Sequence, residues 1–321
     1  MGLTIHGSLT YSGRSEANAL KTVQKIREIA LELPFEDVSE IFVLKGDDAN
    51  YENHRGKDEN SDMLSWMLIQ AQESVDCPWH DGRSMRVSPE VCIAFNAYPG
   101  WGCEPLNIGL CRFPKTVEWD YNAMDDKKYQ RKSGLMNWQK FHNDFPNGHD
   151  GLTRKLRTKL DGWRWSSFCK TQYASNPKCG GMPNFVKCHV SVITLLEETA
   201  KLPSMKVRIN DEGHFGPSNH SDDWREARKE GREPTYVDHE ATHDIEILCN
   251  ECGEYNELIA GFHGGLKDIF GGDVESPITA YPDFEQLEFR GRKDSAELRK
   301  IIVILDAIAK KTRTTDEEDV A

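Results

Sequence analysis

The sequence predicts an α/β fold of the α+β type, with a mixed sheet built around two β-α-β units and an α-helical C-terminal third. One strand-helix-strand pattern occupies the first fifty residues, and a second lies between about residues 163 and 211. After about residue 215 the apolar residues follow helical spacing. Two β-α-β units in one sheet are compatible with a pair of ferredoxin-like halves.

The first unit begins with the alternating stretch "LTIHGSL", which predicts a strand. Apolar residues then recur at helical spacing up to Leu33, and Pro34 is expected to end that helix. The β-rich stretch "EIFVLKG" predicts the second strand of the unit.

Two strand-like stretches occupy the middle of the chain, "PEVCIAFNAYP" and "EPLNIGLCRF". The sequence "GWGC" between them suits a hairpin or another tight connection. The flanking residues, at about 47–86 and 114–160, are predicted to be insertions into the sheet domain. The first insertion contains a predicted helix, "DMLSWMLIQAQESV", and the second is rich in aromatic residues, Lys and Asn.

The second unit is predicted from three stretches: the strand "WRWSSFCKTQYA", the helix "NFVKCHVSVITLLEETAKL" and the strand "MKVRIND". Because successive side chains of a strand point to opposite faces, one face of the first strand should carry Trp163 and Trp165. The opposite face should carry Phe168, Lys170 and Gln172.

The chain is expected to divide near residue 215. Residues 1–215 would form the sheet domain with its insertions, and residues 216–321 would form a helical region packed on it. A helix is predicted from about 237 to 269. A final helix is predicted to begin at the capping-box pair Asp294 and Glu297.

Composition and charge favour a soluble protein of the cytoplasm. The net charge is -13, from 53 acidic and 40 basic residues, and this balance makes nucleic acid an unlikely partner. The alternative is local contact through residues 125–165, where Lys and Arg alternate with aromatic residues. No apolar stretch approaches the ~18 residues of a membrane span, and the N-terminus does not resemble a signal peptide. Nine cysteines, an odd number, indicate free thiols in a reducing compartment.

The most specific chemical pattern is an H-E-x-x-H string at residues 239–243. In zinc hydrolases this spacing puts two imidazoles on one face of a helix, with the Glu as general base. On the predicted helix, however, His239 and His243 lie opposite the apolar stripe, which favours a solvent-facing role. A zinc-dependent hydrolase with these two histidines as metal ligands is the alternative, and no other cofactor is expected.

A polar pocket at the sheet edge is the preferred functional site. Lys170 and Gln172 on a central strand would need polar partners if they were buried. The candidates are acidic residues at the ends of neighbouring elements: Glu104, Asp211 and Glu212. Such a pocket could hold a small polar ligand or perform acid-base chemistry. The structural alternative is a plain salt bridge, and a metal site that uses the nearby His214 and His220 is a third possibility.

Several enzyme classes lack support in the sequence. It contains no phosphate-binding P-loop, no G-x-G-x-x-G after a strand and no G-x-S-x-G elbow. The C-x-x-C pair Cys249 and Cys252 lies inside a predicted helix, which favours structural thiols. We therefore expect a cytoplasmic binding or regulatory protein whose partner is a small polar ligand or a protein. An acidic protein that fills a basic groove of its partner is a further alternative.

Overall fold

The computed structural model describes residues 3–54, 63–76, 84–120, 153–218, 238–270, 277–281 and 284–294. The described strands are β1 (Thr4–Tyr11), β2 (Asp37–Val38), β3 (Phe42–Lys45), β4 (Glu73–Asp76), β5 (Ser84–Val87), β6 (Val91–Tyr98), β7 (Leu106–Arg112), β8 (Thr116–Asp120), β9 (Thr153–Arg157), β10 (Trp163–Lys170) and β11 (Met205–Asp211). The described α-helices are α1 (Glu16–Glu32), α2 (Met63–Gln70), α3 (Gly181–Ala200), α4 (Ile245–Phe270) and α5 (Phe284–Asp294). The predicted α+β class is confirmed.

One seven-stranded sheet organises the described part of the chain. Its order is β11-β1-β10-β7-β6-β2, and β3 also pairs with β6. Both predicted β-α-β units are present, as β1-α1-β3 and β10-α3-β11, and each is split by intervening strands. Three strands separate β1 from β3, while β1 itself lies between β10 and β11. The two units therefore interlock in one sheet, and every pairing among its described strands is antiparallel.

Helices α1 and α3 cover one face of this sheet. Leu196 of α3 lies 3.1 Å from the position that a Cβ atom on Gly7 would occupy. Ile5 and Leu9 share the face of Gly7 because side chains alternate along β1. Both are buried, as are Trp163 and Trp165 on the neighbouring strand. This side of the sheet is the main hydrophobic core.

The opposite face is only partly covered. Helix α2 reaches it through Gln70, whose side chain accepts a hydrogen bond from Asn107 on β7. Strands β6 and β7 are buried almost throughout because they are covered on both faces. On β1 and β10, the side chains of His6 and Phe168 on this face are exposed. A partly open sheet face therefore lies beside α2.

The two predicted insertions contain small additional elements. The first includes α2 and the hairpin β4-β5, and the second contributes the hairpin β8-β9. The helix predicted over 62–75 ends at Gln70, because Glu73–Asp76 pairs with β5 instead. The basic and aromatic stretch of the second insertion falls mostly on residues 121–152, which lie outside the described residues.

The C-terminal region starts its long helix later than predicted. Helix α4 begins at Ile245, eight residues after the predicted start at about 237. Asp244 explains this boundary, because its carboxylate accepts hydrogen bonds from the backbone N–H groups of Glu246 and Ile247. His243 just before it has a φ of 49°, which is incompatible with a continuing α-helix.

Helix α5 packs against α4. The predicted final helix lies outside the described residues beyond its first residue, Asp294. Among the helices that the structure describes, none has the length and apolar character to cross a membrane.

Candidate functional site

The predicted site residues lie at one end of the sheet, but on both of its faces. Lys170 and Glu104 meet as expected, with 3.4 Å between Lys170 Nζ and Glu104 Oε1. Their backbones are also joined, since the Glu104 N–H donates to the Lys170 carbonyl over 2.9 Å. This pair lies on the partly open face, beside Phe168, whose ring centre is 5.9 Å from Lys170 Nζ.

Glu212 lies at the same end of the sheet, two strands away from Lys170. Its carboxylate accepts a hydrogen bond of 2.8 Å from the Thr4 N–H, which anchors it to the start of β1. The charges of Glu212 and Lys170 both affect the pKa of the His6 imidazole on β1. Desolvation lowers the pKa of the His6 imidazole, the negative charge of Glu212 opposes this effect, and the positive charge of Lys170 adds to it.

Gln172 does not share the face of Lys170, and that part of the prediction is wrong. Strand β10 ends at Lys170, and Gln172 begins a 3-10 helix that turns the chain into the protein. There its side chain is fully buried. It accepts a hydrogen bond from the Leu3 N–H and donates one of 2.8 Å to Asn256. Gln172 therefore connects β1 to helix α4.

Asp211 belongs to a second buried network, on the helix-covered face. Its Oδ1 accepts hydrogen bonds from His189 Nε2 at 2.9 Å and from the Gly213 N–H. Its Oδ2 accepts one from the Gly216 N–H. On the other side of the imidazole, His189 Nδ1 is 2.8 Å from the Thr171 hydroxyl oxygen. In the neutral ring, Nδ1 accepts from that hydroxyl.

Sequence reasoning missed His189 and Thr171 as members of this network. A signal for His189 was present, because it lies four residues after Phe185 and three before Val192, on the buried stripe of α3. A histidine in such a stripe needs a polar partner, and β11 supplies it. The hydroxyl-imidazole-carboxylate order resembles a catalytic triad. The three side chains are 0 to 1% exposed, however, so a substrate cannot reach them in this conformation.

The electrostatics of Asp211 fit an ionised structural carboxylate. Burial alone would raise its pKa, but the positive charge of a protonated His189, the hydrogen bond from His189 and those from the two glycine N–H groups outweigh burial. The pKa of Asp211 is therefore held below its ordinary value of 3.8. The network ties α3, β10 and β11 together.

A cavity of about 210 Å³ opens next to the Lys170 and Glu104 pair. Its walls are formed by six residues from α2, β7, β10 and the loop before β7: Trp66, Gln70, Glu104, Pro105, Asn107 and Phe168. Trp66 is 49% exposed and Phe168 is 36% exposed, so both rings are accessible from solvent. Of these six residues, the sequence singled out Glu104 as a site residue, and it placed Phe168 on the same strand face as Lys170.

The polar side of this cavity is held by a chain of amides. Asn96 Nδ2 donates to Asn107 Oδ1 over 3.0 Å, and Asn107 Nδ2 donates to Gln70 Oε1 over 3.2 Å. The two Asn side chains are buried and lie opposite each other in the β6-β7 pairing. Because Gln70 accepts this hydrogen bond through Oε1, the bond does not use its Nε2.

The loop that carries Glu104 is fixed by a glycine. Gly102 has a φ of 88°, and a Cβ atom there would lie 2.7 Å from the Tyr173 carbonyl oxygen. Only glycine accommodates both this backbone conformation and this close approach. The tight connection predicted for "GWGC" is thus present, and it presses the loop onto the 3-10 helix after β10.

The H-E-x-x-H string is not helical. His239 stacks on His214 with 4.5 Å between ring centres. His243 instead approaches Glu197 of α3, with 2.9 Å between Nε2 and Oε1. The two imidazoles therefore have separate partners, whereas a zinc hydrolase of this type needs both on one helical face. Across the described ranges, no three His, Cys, Asp or Glu residues form a group that could hold a metal ion. His220, named in the other metal hypothesis, lies outside the described residues.

The C-x-x-C pair lies within α4, as the sequence indicated. Cys252 is fully buried, and burial raises its pKa to about 11. Burial also raises the pKa of the Cys249 thiol. The eight cysteines in the described part of the chain are free.

A larger concavity of about 570 Å³ lies between residues 50–52, 85–88 and 114–117. Tyr51 is the single aromatic side chain among its described lining residues, so a flat ligand there would be covered on one side at most.

Comparison of the chain with protein-family models, with curated proteins and with solved structures gives no match. The geometry of the smaller cavity is therefore the main guide to function.

Proposed function

We propose that this is a binding protein that takes a small, flat, polar ligand into the cavity between Trp66 and Phe168. The observation that supports it best is the cavity itself, which has an accessible aromatic ring on each of two elements and the Glu104 carboxylate beside them. Ligand sites typically combine apolar or aromatic walls with a few fixed polar groups. The cavity is smaller than the roughly 300 Å³ lower end of drug-sized pockets, which suits a single ring system.

The polar groups of the cavity are held in place before any ligand arrives. The backbone of Glu104 is bonded to β10, and Gln70 is held by the buried amide chain from Asn96. Pre-organised groups lower the entropic cost of binding. We further propose that the protein works in the cytoplasm, which agrees with the free thiols of its described cysteines.

Titration calorimetry with a panel of flat heteroaromatic compounds tests this proposal on the full chain. We expect binding by the wild type and a loss of about ten-fold or more in affinity for Trp66→Ala and for Phe168→Ala, because each stacked ring contributes ~1–3 kcal/mol. Trp101→Ala is the matched control, since Trp101 is 63% exposed and does not line the cavity. Binding that survives the Trp66→Ala/Phe168→Ala double substitution unchanged would contradict the proposal, as would no binding at all.

A further inference from the structure

We infer that the ligand of this cavity is a guanine base, supplied as a free nucleoside or nucleotide. This inference rests on the proposed function and adds the chemical class of the ligand. It is carried by two features of the cavity: the aromatic surfaces on two of its sides and the order of hydrogen-bonding groups along its polar edge.

The aromatic surfaces define the shape of the ligand. Trp66 projects from α2 and Phe168 from β10, and the cavity of about 210 Å³ lies between these elements. Every nucleobase has flat π faces, and base stacking on aromatic side chains is a general mode of recognition. The space suits one bicyclic ring.

The polar edge offers one donor and one acceptor. The donor is Gln70 Nε2, which is left by the hydrogen bond that Gln70 Oε1 accepts from Asn107. The acceptor is the Glu104 carboxylate. Its Oε1 faces Lys170, and its Oε2 is buried without a hydrogen-bond partner among the described residues. A buried carboxylate oxygen without a partner is unfavourable, and a ligand N–H would satisfy it.

Guanine presents the complementary order of groups. Its O6 accepts one hydrogen bond, and the neighbouring N1–H and N2–H groups can donate to the two oxygens of one carboxylate. Gln70 would donate to O6, and the partly exposed Glu104 side chain would turn its carboxylate so that Oε2 as well as Oε1 accepts from the two N–H groups. Adenine and cytosine each present one amino group next to an acceptor nitrogen, and uracil presents a single N–H between two carbonyl groups. Guanine is the base whose edge offers two adjacent N–H donors.

The charge of the chain favours a free nucleoside over a polynucleotide. With a net charge of -13, the protein has little long-range attraction for a phosphate backbone. On the described open face, Lys170 is already paired with Glu104. A single guanine base requires neither a basic groove nor further phosphate contacts.

Calorimetric titration of the full chain with guanosine, inosine, adenosine and cytidine tests the inference. Inosine keeps O6 and N1–H but lacks the 2-amino group. We expect guanosine to bind most tightly, inosine about ten-fold more weakly, and adenosine and cytidine more weakly still, because hydrogen bonds to charged groups are the stronger ones. This ranking is measured on the wild-type protein and does not depend on the folding of any variant.

Glu104→Gln removes the charge while keeping the shape of the side chain. We expect it to weaken guanosine binding about ten-fold or more and to remove the preference for guanosine over inosine. Glu32→Gln is the matched control, because Glu32 is exposed at the end of α1 on the opposite side of the sheet, and it should bind guanosine like the wild type.

The outcomes separate this inference from the proposed function. Equal affinity for guanosine, adenosine and cytidine would overturn guanine recognition, while binding lost in Trp66→Ala would still support a flat ligand. No binding of any heteroaromatic compound would overturn both guanine recognition and the proposed function.

The final titration uses a short single-stranded RNA that contains one guanine. Affinity equal to that of guanosine supports the free ligand, and affinity at least ten-fold tighter would overturn the free nucleoside as the source.

Discussion

His189 shows at the scale of single residues how a buried polar group is accommodated in this protein. The imidazole is fully buried, yet both of its nitrogens have partners, Asp211 on one side and Thr171 on the other. Asp211 in turn accepts hydrogen bonds from two backbone N–H groups of the turn that follows β11. A network that is satisfied at every member specifies one arrangement of the elements it joins. Because solvent does not reach these side chains, we assign the network a structural role.

Asp211→Asn is expected to lower the free energy of unfolding by about 1–3 kcal/mol near pH 7, because an amide nitrogen would face the donor of Gly216 or His189. The folded-state pKa of Asp211 lies below its ordinary value. Its stabilising effect is therefore complete above the unfolded-state pKa, near pH 4, and is lost as the pH falls through the folded-state value.

Urea denaturation of wild type and Asp211→Asn between pH 7 and pH 3 measures this dependence. The stability difference between the two proteins should be constant from pH 7 to about pH 5 and should shrink below about pH 4. A difference that stays the same down to pH 3 would show that the Asp211 charge does not contribute. Asp244→Asn, in an exposed N-cap where either side chain can accept the hydrogen bond, is the control.

The predicted pocket shows which side-chain contacts residue patterns can and cannot predict. The Glu104 and Lys170 pair was predictable, because a Lys on a central strand needs an acidic partner at the neighbouring strand end. Gln172 was misplaced because the alternation was extended two residues past the true end of β10. Trp66 and Asn107 were not foreseen, since helix α2 and strand β7 are brought together only by the folding of an insertion over the sheet.

At the scale of elements, the strands of the β6-β7 hairpin approach each other closely at one glycine. Gly109 of β7 lies opposite Ala94 of β6, and both strands are covered on both faces. A Cβ atom on Gly109 would lie 2.2 Å from the Ile93 carbonyl oxygen and 2.5 Å from the Ala94 Cβ atom. The strands approach each other closely here because Gly109 has no side chain.

Gly109→Ala should therefore lower the free energy of unfolding by ~3 kcal/mol or more, since the backbone of β6 cannot move away without breaking the pairing. Thermal and denaturant unfolding measure this change. Gly253→Ala on α4 is the matched control, because nothing lies within 4 Å of its added Cβ atom. It should stabilise the protein by about 0.5–1 kcal/mol through higher helix propensity. Equal effects of the two substitutions would refute the packing argument.

The start of α4 shows how local signals compete. Helical spacing of apolar residues extends upstream of Ile245 and led to the predicted start at about 237. Asp244 is a strong N-cap residue, and its carboxylate accepts two backbone hydrogen bonds in the first turn. The capping residue fixed the boundary, and the H-E-x-x-H string was left outside the helix.

At the scale of the whole molecule, buried hydrogen bonds attach the C-terminal helices to the sheet. Asn256 of α4 accepts from Gln172 and donates to Ser175, and the Ser175 hydroxyl also bonds to the Tyr281 hydroxyl. These side chains come from three separate parts of the chain. Helix α4 is thus attached to the sheet by specific polar contacts as well as by apolar packing.

Asn256→Leu should weaken this attachment. It leaves the buried Gln172 amide without its acceptor, at a cost of about 1–3 kcal/mol. Hydrogen-exchange mass spectrometry should show faster exchange in α4, with a smaller effect in β1 and β10. Asn250→Ala, at an exposed position of the same helix, is expected to leave exchange unchanged. Uniformly faster exchange of helix and sheet in Asn256→Leu would indicate that the two regions unfold together and would contradict a local role.

The sequence by itself determined the α+β class, the two β-α-β units, most strand and helix positions, and the meeting of Glu104 with Lys170. These features follow from hydrophobic periodicity, proline and glycine positions, and the cost of burying an unpaired charge, all of which are local. Only the tertiary structure decided that the two units interlock in one sheet and that Asp211 faces His189. It also decided that Trp66, Gln70 and Phe168 surround one cavity. Strand order and the position of an inserted helix depend on contacts between residues far apart in the chain, and no local pattern encodes those contacts.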